Sequence, residues 1–135
     1  MKGKVFFDSN LWVYLNSRDP KAAVVSELVN SHFSRIIVSS QVLGEIYHVL
    51  VRKGFTDKET AREIVSDLQE SFIIAPVTSA TVSSAVTLNI RHGYSYWDSL
   101  IIASALENGC TTLFSEDLHH TQRVDGRLAI INPFA

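Results

Sequence analysis

Short apolar runs alternate along the chain with longer stretches whose apolar residues recur at helical spacing. The first run, Lys4-Val5-Phe6-Phe7, predicts a β-strand that stops at Asp8-Ser9-Asn10, three residues that favour caps and turns. Asn10 is expected to cap a short helix through Leu15. Asp19-Pro20 predicts the start of a second helix, with Pro20 in its first turn and Ala22, Val25, Leu28 and Val29 on its apolar face. Ile36-Ile37-Val38 reads as a buried strand ended by Ser39-Ser40. From Ser40 the period becomes helical, with Val42, Leu43, Ile46, Val49 and Leu50 on one face and Lys53-Gly54 at the end. Thr56 followed by Glu59 predicts a capping box for a helix ending near Glu70. Residues 72–77 read as a strand. Ser79 is expected to cap a helix that buries Val82, Val86 and Ile90 and closes near Gly93, and Ser95 to cap one carrying Leu100, Ile101, Ala105 and Leu106. Residues 111–114 form a strand, 115–126 a loop, and 128–131 the last strand before Asn132-Pro133.

Strands that alternate with helices, and whose apolar runs are nearly continuous, mark a parallel sheet covered on both faces. The fold class expected is α/β: three layers, α/β/α, around a mostly parallel sheet of four to five strands. The chain has 135 residues, enough to bury a core and suited to one domain over residues 1–135. No internal repeat or linker interrupts it.

Composition narrows the class further. Hydrophobic residues make up 46% and charged residues 19%, which excludes a disordered chain. No apolar run approaches the roughly 20 residues of a membrane span. The apolar stretch before Asp8 is too short for a signal peptide. Cys110 is the only cysteine, so no intrachain disulfide forms, and a cytoplasmic location is expected.

Four acids fall where the predicted topology puts a site. Open parallel sheets bind ligands beyond the carboxyl ends of their strands. Asp8 follows the first strand, Glu45 lies in the second turn of the helix after the second, and Asp117 follows the strand ending at Phe114 by three residues. Asp98 joins them if the helix opening at Ser95 also starts at that edge. Each acid has a purely structural alternative: Asp8 as a helix cap, Asp98 as a partner of the helix dipole, Glu45 on an exposed face, Asp117 solvated in a loop. Together they suit Mg²⁺ or Mn²⁺, which take oxygen ligands from a few carboxylates plus water and phosphate. Carboxylates crowded into one crevice repel, so a cation binds there or some take up protons. The formal net charge is -2, but with these four set aside 10 of the 14 acids remain against 12 Lys and Arg. Tight non-specific binding to long duplex DNA is therefore disfavoured, and RNA is neither supported nor excluded.

These residues carry a resemblance. Val-Phe-Phe-Asp8-Ser-Asn10, Ser39-Ser40-Gln41-Val42-Leu43-Gly44-Glu45, Tyr96-Trp97-Asp98-Ser99-Leu100-Ile101-Ile102-Ala103, and Leu113-Phe114-Ser115-Glu116-Asp117-Leu118 with Asn132-Pro133-Phe134 resemble, in order and spacing, the blocks of PIN-domain nucleases, most closely toxin ribonucleases of VapC type. The resemblance covers essentially the whole chain. It implies that Asp8, Glu45, Asp98 and Asp117 hold Mg²⁺ or Mn²⁺ directly or through water, with Asn10 and Ser115 orienting them by hydrogen bonds. It leaves Glu116 either completing the cluster or facing water. It further implies an endoribonuclease leaving a 5′-phosphate and a 3′-hydroxyl, a cognate antitoxin and a homodimer.

Secondary features stay open. Trp97, His119 and Arg123 are candidate RNA contacts, against packing for the tryptophan and solvation for the loop residues. Trp12, Tyr14 and Leu15 suit either a groove for an antitoxin helix or the core. A dehalogenase-type phosphatase needs a second Asp where Asn10 stands, and no glycine-rich phosphate loop is present. The remaining rival is a non-catalytic, RNA-binding or regulatory domain of the same fold.

Overall fold

The computed structural model describes residues 3–118 and 120–135. Strand β1 (Lys4–Phe7) leads through helices α1 (Ser9–Leu15) and α2 (Lys21–His32) and a 3-10 turn at Phe33–Arg35 into β2 (Ile36–Ser39). Helices α3 (Ser40–Arg52) and α4 (Lys58–Ser71) follow, then β3 (Ile73–Ala75), α5 (Ser79–His92), α6 (Tyr96–Glu107), β4 (Cys110–Phe114), β5 (Arg123–Val124) and β6 (Leu128–Ile131). No helix is long and apolar enough to cross a membrane among the described residues.

One six-stranded sheet has the order β3-β2-β1-β4-β6-β5. All pairs are parallel except β5 with β6. The sheet is thus one strand wider than expected, because Arg123 and Val124 fold back against Ala129 and Leu128 in what reads as loop sequence. Two residues are too few to show a strand period.

The order dictates the layers. The chain steps from β1 to β2 to β3 in one direction, then returns past both to lay β4 on the other side of β1. Right-handed crossovers put α1 to α4 on one face and α5 with α6 on the other. Helix contacts divide the same way: α1 meets α2 and α3, α3 meets α4, and α5 meets α6. Both faces being covered, every residue of β2 and all of β1 but Lys4 is buried. Phe7 lies 5.3 Å from Trp12 and meets Phe114 edge-on at 5.4 Å, so the core is densest under the ends of β1 and β4.

Helix α6 has seven consecutive buried residues, Ser99 to Ala105, and therefore no single apolar stripe. Its small side chains admit α5 closely, and α5 turns Thr81, Ala85 and Leu88 inward. The expected inner face of α5 is instead exposed: Val82, Val86 and, at 76%, Ile90. Thr81 is tolerated inside because its hydroxyl bonds Thr78 and Glu107.

Three caps sit one or two residues from their expected places. Asp8, not Asn10, caps α1, accepting from Ser9 N–H. Asp57 caps α4 through Thr60 N–H, displacing the Thr56–Glu59 box. Thr78, not Ser79, caps α5, in a reciprocal box with Thr81. In each case a nearby side chain took the cap: Asp57 is a stronger capper than Thr56, Asp8 equals Asn10, and Thr78 is weaker than Ser79 but gains a reciprocal bond with Thr81. Likewise Pro20 precedes α2 as its cap residue, and β3 keeps only three of the six residues 72–77.

Two glycines give opposite expectations. Gly93 ends α5 at φ +74°, so Gly93→Ala is expected to lower stability by about 1–2 kcal/mol. Gly44, inside α3, has no atom within 4 Å of the point where an alanine methyl would stand, so Gly44→Ala is expected to raise it by about 0.5–1 kcal/mol. Urea unfolding of the two variants checks the opposite signs.

Candidate active site

Between β1 and β4 successive connections leave in opposite directions, and the crevice that topology opens lies beyond their carboxyl ends. Asp8 stands in it. Its N–H donates to Phe114 O at 2.9 Å, extending the β1–β4 pairing by one residue. Its carboxylate accepts from Ser9 N–H at 2.7 Å and from Ser115 Oγ at 2.8 Å. Ser115 is itself fully buried and anchored by its N–H to Ile131 O at 3.0 Å, which fixes where that hydroxyl points.

Asp8 is only 7% exposed, and burial pushes its carboxyl up. The hydrogen bonds from Ser115 and Ser9 oppose the shift, and the charges of Asp98 and Asp117 add to it. Hydrogen bonds to a charged group each contribute about 1.5–3 kcal/mol. Here two of them do not offset burial and repulsion.

Glu45, half-buried on α3, is pushed up in the same way, first by burial, then by Asp8 and, more weakly, Asp98. Ser9 and Gln41 partly offset this, yet Oε1 of Glu45 is buried with no hydrogen-bond partner among the described residues. Asp98 occupies the first turn of α6, its N–H donating to the Ser95 cap at 3.1 Å. The neighbouring Trp97 carbonyl accepts from Gln41 Nε2 at 3.4 Å, which ties the start of α6 to the helix bearing Glu45. Asp117 is exposed and accepts from Asn10 Nδ2 at 3.0 Å, while Asn10 Oδ1 is buried without a partner among the described residues. The four acids therefore face one crevice, with Asn10 and Ser115 bonded to two of them.

Glu116 turns elsewhere. Its carboxylate accepts from Tyr14 Oη at 2.6 Å and pairs with Lys21, whose ammonium lies 5.0 Å from the rings of Tyr14 and Phe134. Burial alone would raise Glu116, but the Lys21 and Tyr14 hydrogen bonds outweigh it and hold the carboxyl low. Trp97 is 64% exposed beside Asp98, in edge contact with Tyr96. Arg123 is exposed on β5, two strands from β4. His119 lies outside the described residues. Trp12 is core, and Tyr14 and Leu15 pack against it.

Two residues that the sequence motifs do not single out contribute here. Ser9 touches Asp8 and offsets Glu45, and Gln41 does so from one turn before Glu45 on α3. The i, i+4 spacing of Gln41 and Glu45 is the signal that points to the second.

A parallel sheet with acids gathered at its switch point defines an α/β protein built around a carboxylate-lined crevice. The chain belongs to the PIN domain family, a nuclease family, whose profile matches residues 5–126. No curated protein matches it. Among solved structures, the VapC20 toxin of Mycobacterium tuberculosis, described as cleaving the sarcin–ricin loop, is 21% identical over 84% of this chain and 92% of that one, with a TM-score of 0.71. A toxin–antitoxin complex from Klebsiella pneumoniae contains a chain 15% identical over 96% of this chain and 98% of its own, at 0.74. DNA-bound VapBC from Salmonella typhimurium gives 18%, 95%, 98% and 0.70 in the same order. At such identities these likenesses establish the fold.

PIN nucleases generally use divalent metal ions. Among the described residues no three acidic, histidine or cysteine side chains close tightly enough to ligate one ion alone. A divalent ion held partly through water needs no such tight group, since it takes only one or two carboxylates directly. The unpartnered Glu45 Oε1 and the raised carboxyl of Asp8 would both be offset by a cation in the crevice. The residues fit such an ion.

Raised carboxyls carry a sign. Asp8 and Glu45 hold protons in the folded protein at pH values where the unfolded chain has released them. Their contribution to the stability of the cation-free protein is therefore fully present below the ordinary values of 3.8 and 4.5 and is lost as pH rises through the raised ones, while Glu116 and Asp57, held low, contribute with the opposite sign. With chelator, the thermal midpoint of the wild type relative to that of Asp8→Asn is expected to fall over that interval. A difference that grows with pH there would contradict the assignment.

Proposed function

We propose that this protein is a Mg²⁺- or Mn²⁺-dependent endoribonuclease and the VapC-type toxin of a toxin–antitoxin pair. The observation that carries the reading is a buried Asp8 at the sheet's switch point, facing Glu45, Asp98 and Asp117 with too little hydrogen bonding to neutralise it. The fold-level likeness to proteins described as toxins supports the biological role.

In this reading Asp8, Glu45, Asp98 and Asp117 hold the cation, directly or through water. Ser115 fixes the Asp8 carboxylate and Asn10 that of Asp117, so both present oxygens to the crevice without side-chain rearrangement. A divalent ion held by these carboxylates would lower the pKa of water and neutralise charge growing on the phosphoryl group. Hydrolysis forms a bond from water oxygen to phosphorus and breaks the bond to the 3′-oxygen. The products are a 5′-phosphate and, after proton uptake, a 3′-hydroxyl. Trp97, exposed beside Asp98, offers a face on which an unpaired base stacks, and Arg123 a more distant phosphate contact. Glu116, engaged by Lys21 and Tyr14, holds its loop in place and is not a ligand.

The partners proposed are an RNA substrate, a small antitoxin and a second copy of the chain, all in the cytoplasm. The exposed Val82, Val86 and Ile90 stripe on α5 supports an apolar contact with another protein.

Purified protein is expected to cut an RNA pool with Mg²⁺ or Mn²⁺, to stop on chelation, and to lose detectable activity as Asp8→Asn. Asn10→Ala and Ser115→Ala are expected to lower the rate by about 10- to 100-fold. Glu116→Gln is expected to weaken Mn²⁺ binding far less than Asp117→Asn, read by calorimetry. Cleavage that survives chelator, or equals wild type in Asp8→Asn, would sink the metal-nuclease reading. RNA bound but never cut would leave the non-catalytic domain in its place.

A further inference from the structure

A cleft of about 610 Å³ adjoins the acidic crevice at Asn10, with none of the four acids in its walls. It begins at Ser9 and Asn10, runs beside α1 past Val13 and Ser17, and ends among Arg18, Arg52, Lys53 and Phe55. A second hollow lined by Ser17, Arg18, Gly54 and Phe55 continues it. Asn10 is shared between the two regions, because its amide also holds Asp117. The cleft and the crevice therefore meet at Asn10.

Its charge is opposite to that of the crevice. Arg18, Arg52 and Lys53 line it against a single acid, Asp19. None of the three takes part in an ion pair among the described residues, whereas Lys21 and Arg62 are paired with acids. Phe55 is 46% exposed at the same end and has no aromatic neighbour among the described residues. An unpaired aromatic face among unpaired cations is the combination that binds single-stranded nucleic acid, the cations taking phosphates and the ring taking a base. The walls also carry Val13, Tyr14 and Val49, so a peptide with apolar side chains is the competing occupant that the test must separate.

We infer that this cleft holds the single-stranded RNA flanking the scissile phosphate, with Arg18, Arg52 and Lys53 on its backbone and Phe55 stacked on a base. The inference rests on the ribonuclease reading for its substrate class. Helix α1 has seven residues, so the cleft wall beside it is about 10 Å long. The acidic crevice then receives one phosphate while the strand's remaining charge is met by cations along α1 and the end of α3. Selection by this cleft acts on the single-stranded character of the flank, since a ring face and three backbone contacts read no base edge.

Binding is measured separately from cleavage. In the Asp8→Asn protein, with Mg²⁺ present, fluorescence anisotropy follows a labelled random single-stranded RNA of about 12 nucleotides across a salt series. Each phosphate contact on a single strand adds about 0.7 to the slope of log affinity against log salt. The triple variant Arg18→Gln, Arg52→Gln, Lys53→Gln is expected to flatten that slope by about 2. Phe55→Ala is expected to weaken binding about 10-fold at unchanged slope, and Phe55→Trp to restore it. All four positions are exposed, and an unchanged thermal midpoint verifies folding. A triple variant with the wild-type slope overturns the inference. So does one that binds RNA normally but loses affinity for the protein encoded by the adjacent gene, which makes the cleft a protein-docking surface. Should the wild type bind RNA with the expected slope and yet never cut it, the nuclease reading fails and the cleft assignment stands.

Discussion

The hydrogen bond from Asp8 N–H to Phe114 O, 2.9 Å long, carries the parallel pairing with β4 one residue beyond the end of β1. What surrounds it follows from that extra rung. It brings Asp8 beside Ser115, whose hydroxyl then has one carboxylate oxygen to bond. Immediately afterwards the two chains part, into α1 on one side and the 115–117 loop on the other, and the crevice is the gap they leave. Asn10 and Asp117 meet across it at 3.0 Å, closing the geometry that the backbone bond began. The aromatic packing of Phe7, Trp12 and Phe114 lies directly beneath and makes the parting point rigid.

Negative charge buried at that point is costly, and the fold does not remove the cost. Glu116 shows that it could: one residue along the same loop, a carboxylate is paired with Lys21 and bonded by Tyr14. Among the described residues the acids of the crevice have no cation, and a buried oxygen of Glu45 has no donor. Asp8 is the one charged residue among the buried residues described, and no cation pairs with it. In the proposed reading a bound divalent ion would supply that charge, and its binding would add stability to the folded protein.

Much of this was legible in the chain because it is local. Strands announce themselves by apolar runs, and Asp8, Glu45 and Asp117 sit at fixed short offsets from strand ends, so chain order alone puts them on one edge. What was not legible depends on neighbours distant in sequence. Three caps moved because Asp8, Asp57 and Thr78 stood near other capping residues, and capping rank alone picks the observed one only for Asp57. The exposure of Val82, Val86 and Ile90 follows from α6 packing on the small-residue side of α5, which no period within α5 reveals. Glu116 was ambiguous between ligand and solvent because its actual partner, Lys21, stands 95 positions away.

Net charge was the least informative quantity, and the structure explains why. A value of -2 averages an acidic crevice with a basic cleft that adjoins it. Charges on a protein surface are screened over about 8 Å at physiological salt, so a phosphate chain responds to the wall beside it and not to the total. Lys21 is spent on Glu116 and stands outside that wall's free charge. Arg18, Arg52 and Lys53 are not spent, and they come from the segment after α1 and from the end of α3, where cations also satisfy the helix dipole. The same residues thus complete a helix and leave their charge facing the cleft, which is how a weakly acidic chain presents a basic path to an acidic centre.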